Sequence, residues 1–181
     1  MTDPRRWVMD TSAYTHICRS GHADIIQKLA PSGVVIVPTD VNTEIEHGRE
    51  RYAGILAVPS ISWAEIAVLS EDEVWTQLGV KAQMGGRPDE HLGECAVIAC
   101  ARHRNMIAIL DERAAVAQAN RLHVPTHDTL WIVIEAYKQL YQRDRDLTAR
   151  VVDDLLSTGM YLPLASGESL LAWAYEQELL P

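Results

Sequence analysis

Short apolar runs, each meeting an acidic residue close to where a helix-forming stretch begins, constrain this chain more than any other feature. Trp7-Val8-Met9 ends at Asp10, and Ile107-Ala108-Ile109-Leu110 ends at Asp111. Val34-Val35-Ile36-Val37-Pro38 leads into a helical stretch that carries Glu44 one turn further on. Glu94 opens the apolar segment Cys95-Ala96-Val97-Ile98-Ala99. Short apolar runs without polar alternation fit strands buried on both faces. Such strands alternating with helices make a parallel sheet covered on both sides, and right-handed crossovers bring the strand ends to one edge. Acids separated by 34, 50 and 17 residues can then meet at the carboxyl edge, where these sheets place their chemistry.

Four gathered carboxylates repel one another and persist mainly when a positive charge, usually a metal ion, offsets the repulsion. Each acid alone has an ordinary explanation. Asp10 can be a helix N-cap, while Glu94, Asp111 and Glu112 sit where a first-turn carboxylate favours the helix dipole. Asp40 and Glu46 compete with Glu44, and Asp40 shares its helical face. The recurrence of one pattern at three strand–helix junctions is what argues for a common site.

The pattern predicts strands at 7–9, 34–37, 61–68, 107–110 and 124–126. Helices are expected at 11–18, 22–29, 39–47, 71–78, 91–103 and 113–121. Thr39 is the expected N-cap and Gly48 the expected stop of the 39–47 helix, and Ser70 with Glu73 has the form of a capping box. Gly79 to Pro88 reads as a loop. From Thr129 onward the chain reads as helical, at 129–141, 147–157 and 167–179. The fold class is α/β, and 181 residues fit one domain. Its core would span about 7–165, with a C-terminal helix at about 167–179.

Composition narrows the function. The net charge is −9, and residues 122–181 hold 4 basic against 9 acidic side chains. The overall field gives nucleic acid no help, so such a partner requires a local basic surface, a bound metal or a basic protein. Arg102, Arg104 and Arg113 are candidates for a phosphate-contacting rim, and Thr11 and Ser12 can hold an oxygen beside Asp10. Cys18, Cys95 and Cys100 show no paired framework, which fits reduced thiols and a cytoplasmic location. No apolar stretch reaches membrane-spanning length. There is no zinc-binding histidine spacing, no GxGxxG, no Walker A loop and no GxSxG.

These segments together resemble the PIN-domain nucleases. Val8-Met9-Asp10-Thr11-Ser12 resembles their opening motif, and Val37-Pro38-Thr39-Asp40-Val41-Asn42-Thr43-Glu44-Ile45 their second. Leu92-Gly93-Glu94-Cys95-Ala96-Val97-Ile98-Ala99 is similar to the GEAEAIALA segment of a bacterial subgroup. Ile109-Leu110-Asp111-Glu112-Arg113-Ala114-Ala115 is similar to that subgroup's DDRRAR segment, and Val124 to Trp131 to its GIPVTGTLGVL stretch. The resemblance implies a three-layer α/β/α fold with a central parallel sheet and a helical C-terminal part. It implies a Mg²⁺- or Mn²⁺-dependent endoribonuclease, often the toxin of a VapBC-type pair, with a small antitoxin as partner and a tendency to form homo-oligomers.

Asp10, Glu44, Glu94 and Asp111 fall on the family's acidic quartet. Asp10, Glu94 and Asp111 would hold metal, Asp10 and Asp111 directly and Glu94 through water or as part of a second site, and Glu44 would position or deprotonate the attacking water. Three positions depart from the pattern. Arg113 stands where many members have a further acid, Cys95 replaces an alanine, and His127-Asp128 makes a loop bulkier where the subgroup commonly has glycine. Leu170 to Ala174 offers apolar residues for a homo-oligomer contact. Two alternatives remain open at this stage: a catalytically silent PIN module that binds proteins, and a haloacid-dehalogenase-like phosphatase. The latter wants an aspartate where Ser12 stands.

Overall fold

The computed structural model describes residues 3–181. Strands β1 (Trp7–Met9), β2 (Val35–Pro38), β3 (Ala64–Ala67), β4 (Ile107–Ile109) and β5 (Thr126–His127) form one sheet in the order β3-β2-β1-β4-β5. Every pairing is parallel, with Met9 level with Ile109 and Val37 level with Ile66. β1, β2 and β4 are buried along their whole length, as apolar runs without alternation require. β3 lies at an edge and keeps Glu65 and Ile66 exposed.

The helices are α1 (Thr11–Arg19), α2 (Ala23–Leu29), α3 (Thr39–Arg49), α4 (Glu71–Met84), α5 (Leu92–Arg104), α6 (Arg113–Arg121), α7 (Thr129–Gln139), α8 (Arg145–Ser157) and α9 (Leu170–Glu176). α5 lies directly on β1, β2 and β4, with α4 and α6 packed beside it. Its face of Gly93, Cys95, Ala96, Ala99, Cys100 and Ala101 is fully buried, and these small side chains let helix and sheet approach closely. α7 packs against α2 and α8, and Trp131 of α7 meets Trp7 of β1. The result is the expected three-layer α/β/α arrangement. Among the described residues no helix is long and apolar enough to cross a membrane.

Several boundaries differ from the sequence reading for identifiable reasons. α4 runs through Gly79 to Met84 instead of stopping at 78. Gly79 faces open space, while Gln77 before it and Val80 after it are buried. A helical glycine costs about 1 kcal/mol against alanine, and packing of this helix on α5 outweighs that. The helix ends at Gly85, whose φ of +71° suits glycine. α3 runs through Gly48 to Arg49, and Thr39 is its first residue, with Pro38 at the cap position. β3 keeps only the centre of the expected 61–68 strand, and β5 lies one to two residues later than expected. The last expected helix is split into a 3-10 turn at Gly167–Ser169 and the shorter α9. Within it Leu170 and Ala174 are buried in their own core, so that stretch is not the free apolar surface the sequence offered.

Candidate metal centre

Three acids follow strand ends at the carboxyl edge: Asp10 after β1, Asp111 two residues past β4, and Asp128 after β5. Asp10 is 3% exposed and serves as N-cap of α1, its Oδ1 accepting from Ala13 N at 2.9 Å. Its backbone N donates to Ile109 O, which ties β1 to the strand that delivers Asp111. Asp111 is held by Thr129, whose backbone N and hydroxyl each donate to it at 2.9 Å. Thr129 is fully buried at the start of α7, so that carboxylate is fixed by the helix that follows β5 in the chain.

Glu44 reaches the same edge from α3. It accepts from the Thr11 hydroxyl and, through Oε1, from Gly93 N at 3.1 Å. Its two rivals are engaged elsewhere. Asp40 accepts from Gln77 Nε2 at 2.8 Å, and Glu46 pairs with Arg49 at 2.5 Å. Gly93 is required at this contact, because a Cβ there would lie 2.6 Å from Glu44 Oε2. The next residue, Glu94, has a carboxylate oxygen within 4.8 Å of one of Glu112, the neighbour of Asp111. A continuous circuit results: Asp10-Thr11 to Glu44, Glu44 to Gly93-Glu94, Glu94 to Glu112-Asp111, and β4 back to β1.

Two of these groups were not assigned to the site from sequence. His91 Nδ1 lies 3.2 Å from Glu112 Oε2 and 3.7 Å from Glu94 Oε1. Ligand atoms of His91, Glu94 and Glu112 all lie within 4.8 Å of one another, a spacing one cation can gather. His91 adopts φ +60° just before α5, a left-handed turn that no motif announces. The one sequence signal was Glu112 itself, an acid beside Asp111.

Electrostatics match the geometry. Burial, with the charge of Asp111 next and those of Glu94 and Glu44 adding, raises the Asp10 carboxyl well above the ordinary range. Burial pushes Asp111 up to about 6, against the two Thr129 hydrogen bonds. Burial also raises Glu44 and Glu94, the latter further through Glu112. Among the described residues, the lysine and arginine ion pairs all go to other acids. Buried and half-buried oxygen donors with raised proton affinity and no cation from a lysine or arginine fit a hard divalent ion.

Of the expected substrate contacts, Thr11 and Ser12 lie in the first turn of α1 beside Asp10, the Thr11 hydroxyl being engaged with Glu44. Arg113 opens α6 and is exposed next to Glu112. Arg102 and Arg104 are not brought to this edge. They lie at the end of α5, with Arg104 ten residues past Glu94 and so roughly 15 Å along the helix. Arg104 is occupied by Glu73, at 2.6 and 2.8 Å, and by the Val68 carbonyl.

Fold and edge together define an α/β protein with an acidic centre where parallel sheets place chemistry. The family model of the PIN domain matches residues 6–176, and the chain belongs to that family. Nuclease-type hydrolysis is the activity membership implies. No curated protein is similar enough in sequence to count as a match.

Proposed function

We propose that the protein is a divalent-metal-dependent endoribonuclease, the toxin of a VapBC-type pair. The carrying observation is the circuit that joins Asp10, Glu44, Glu94 and Asp111 across four separate chain segments. Asp10 and Asp111 hold the principal cation, and Glu94 completes its shell or a second one with Glu112 and His91. Bound there, Mg²⁺ or Mn²⁺ offsets charge on the phosphoryl oxygens and lowers the pKa of its water. The imidazole of His91 is a softer donor than carboxylate and favours Mn²⁺ over Mg²⁺.

Glu44 orients the attacking water and takes its proton. Its carboxylate is fixed by Thr11 and Gly93, and burial raises its proton affinity toward that task. Ser12 and Arg113 flank the acids and contact the RNA phosphates. A protein partner, a small antitoxin or a second copy in a homo-oligomer, has a face available on α4. There Val74, Trp75 and Leu78 share one exposed stripe, with Trp75 67% exposed.

The test is cleavage of single-stranded RNA with Mg²⁺ or Mn²⁺, with EDTA, and with Asp10→Asn and Asp111→Asn. Metal-dependent products that vanish in EDTA and in both variants support the reading. A folded wild type that cuts no RNA with either metal overturns it in favour of a protein-binding module. Growth arrest on expression, absent with Asp10→Asn, tests the toxin role.

A further inference from the structure

A cavity of about 260 Å³ opens beside the acids, between β5, α7 and the C-terminal segment. Leu110, His127, Asp128, Trp131, Trp173 and Gln177 line it. Leu110 and Asp128 are the chain neighbours of Asp111 and Thr129, which bond to each other, so cavity and candidate metal centre have a common wall. His127 and Trp131 stack with centroids 3.7 Å apart and planes 4° apart. Trp7 meets Trp131 at 5.5 Å and 71°, which fixes the pair from the core side. Trp173 comes from α9, far away in sequence, and is only partly buried. His127, at the end of β5, is therefore what completes this aromatic wall beside Trp131.

We propose that this cavity receives one unstacked nucleobase of the RNA strand whose phosphodiester lies at the acids. The proposal rests on the nuclease reading of the adjoining centre for its choice of RNA. Three properties select the occupant. Aromatic walls bind the face of any base, by roughly 1–3 kcal/mol each. Asp128 puts a carboxylate on the wall, its Oδ1 accepting from Trp131 N, which repels a phosphate but accepts from a base edge; the Gln177 amide offers both donor and acceptor. The volume lies below the ~300–1,000 Å³ of whole small-molecule pockets, the size for one ring system. Arg113 stands one turn before Val116, another lining residue, on the same face of α6, in place to meet the attached phosphate. Stacking of this kind supplies affinity that a chain of net charge −9 cannot draw from its field.

The experiment is an NMR titration of the tryptophan indole N–H signals in EDTA, with adenosine 5′-monophosphate and with ribose 5-phosphate as the base-less control. The nucleotide should move the Trp131 and Trp173 signals and the sugar phosphate should not. Trp173→Ala should weaken binding roughly 5- to 150-fold, and Trp173→Leu, which keeps apolar packing, should do likewise. Equal shifts from both ligands, no shift from either, or undiminished binding by Trp173→Leu overturns the proposal. In a cleavage assay, an abasic residue beside the scissile bond should lower kcat/KM; equal cleavage of abasic and intact RNA overturns the base subsite and leaves the nuclease reading standing. Selective nucleotide shifts in a protein that cuts no RNA support the subsite and remove the nuclease.

Discussion

Asp10 and Glu73 are buried to the same degree, 3% and 2% exposed, yet their carboxyls move in opposite directions. Glu73 lies in the first turn of α4. It accepts two hydrogen bonds from Arg104 and one from Ser70 N at 2.7 Å, closing the capping box read from sequence. The Arg104 guanidinium holds its carboxyl below the usual range. Asp10 has the single Ala13 N–H for a partner, so burial first, and then the charges of Asp111, Glu94 and Glu44, raise its carboxyl. Burial raises both carboxyls, and the partner decides whether that rise survives. Where the chain supplies the cation, the acid is a structural clamp; where it supplies more acids, the offsetting charge is the divalent ion proposed above.

The largest expected difference between the two is in activity. Asp10→Asn should lower RNA cleavage at saturating Mn²⁺ by at least about 100-fold. Glu73→Gln should leave cleavage within about 3-fold when assayed well below its melting temperature, as it lies at the other end of α5 from the acids. Comparable losses in both variants would break the comparison.

Stability should reverse the order. Glu73→Gln strips Arg104 of a charge-assisted partner and should cost roughly 2 kcal/mol in urea unfolding. Asp10→Asn relieves repulsion and should cost little or stabilise the metal-free protein. The pH dependence in EDTA sharpens this. Asp111 titrates higher in the folded chain than unfolded, near 6 against 3.8, so its contribution is full below about 4 and is lost as pH rises through 6. Glu73 titrates lower when folded, so its contribution is present above its unfolded value of 4.5 and is lost as pH falls further. Asp111→Asn should flatten the decline of metal-free stability between about pH 4 and 6, and Glu73→Gln the loss below pH 4.5. Saturating Mn²⁺ should abolish that decline toward pH 6 in the wild type alone.

What was legible in the sequence divides along the same line. Asp10 and Asp111 follow buried strands, and a parallel register carries them to one edge without further information. The capping box at Ser70 and Glu73 was equally local. The choice of Glu44 over Asp40 and Glu46 was not, because it depends on where α5 starts relative to α3. His91 and Glu112 were hidden for the same reason, since a left-handed residue after the 85–90 turn brings the imidazole over both glutamates. Arg104 looked like a solvent-facing cation for phosphate because its partner lies 31 residues earlier, on a helix that sequence ended six residues too soon.

The smallest effect predicted tests how tightly the open circuit is drawn. Gly93 is buried at the start of α5 with ordinary helical φ, so alanine there is not strained in its backbone. Its Cβ would instead lie 2.6 and 2.9 Å from the two Glu44 oxygens. Glu44 is the end of a flexible side chain and can swing away, so Gly93→Ala should change unfolding free energy by under about 1 kcal/mol, helped by the helix preference for alanine. Turning aside, the carboxylate loses Gly93 N and its place beside Thr11, and with them the orientation of the attacking water. Cleavage should fall about 10-fold in kcat with metal affinity little changed. A matching loss of Mn²⁺ affinity, read by calorimetry, would instead make Glu44 a ligand of the cation and move it into one role with Asp10 and Asp111.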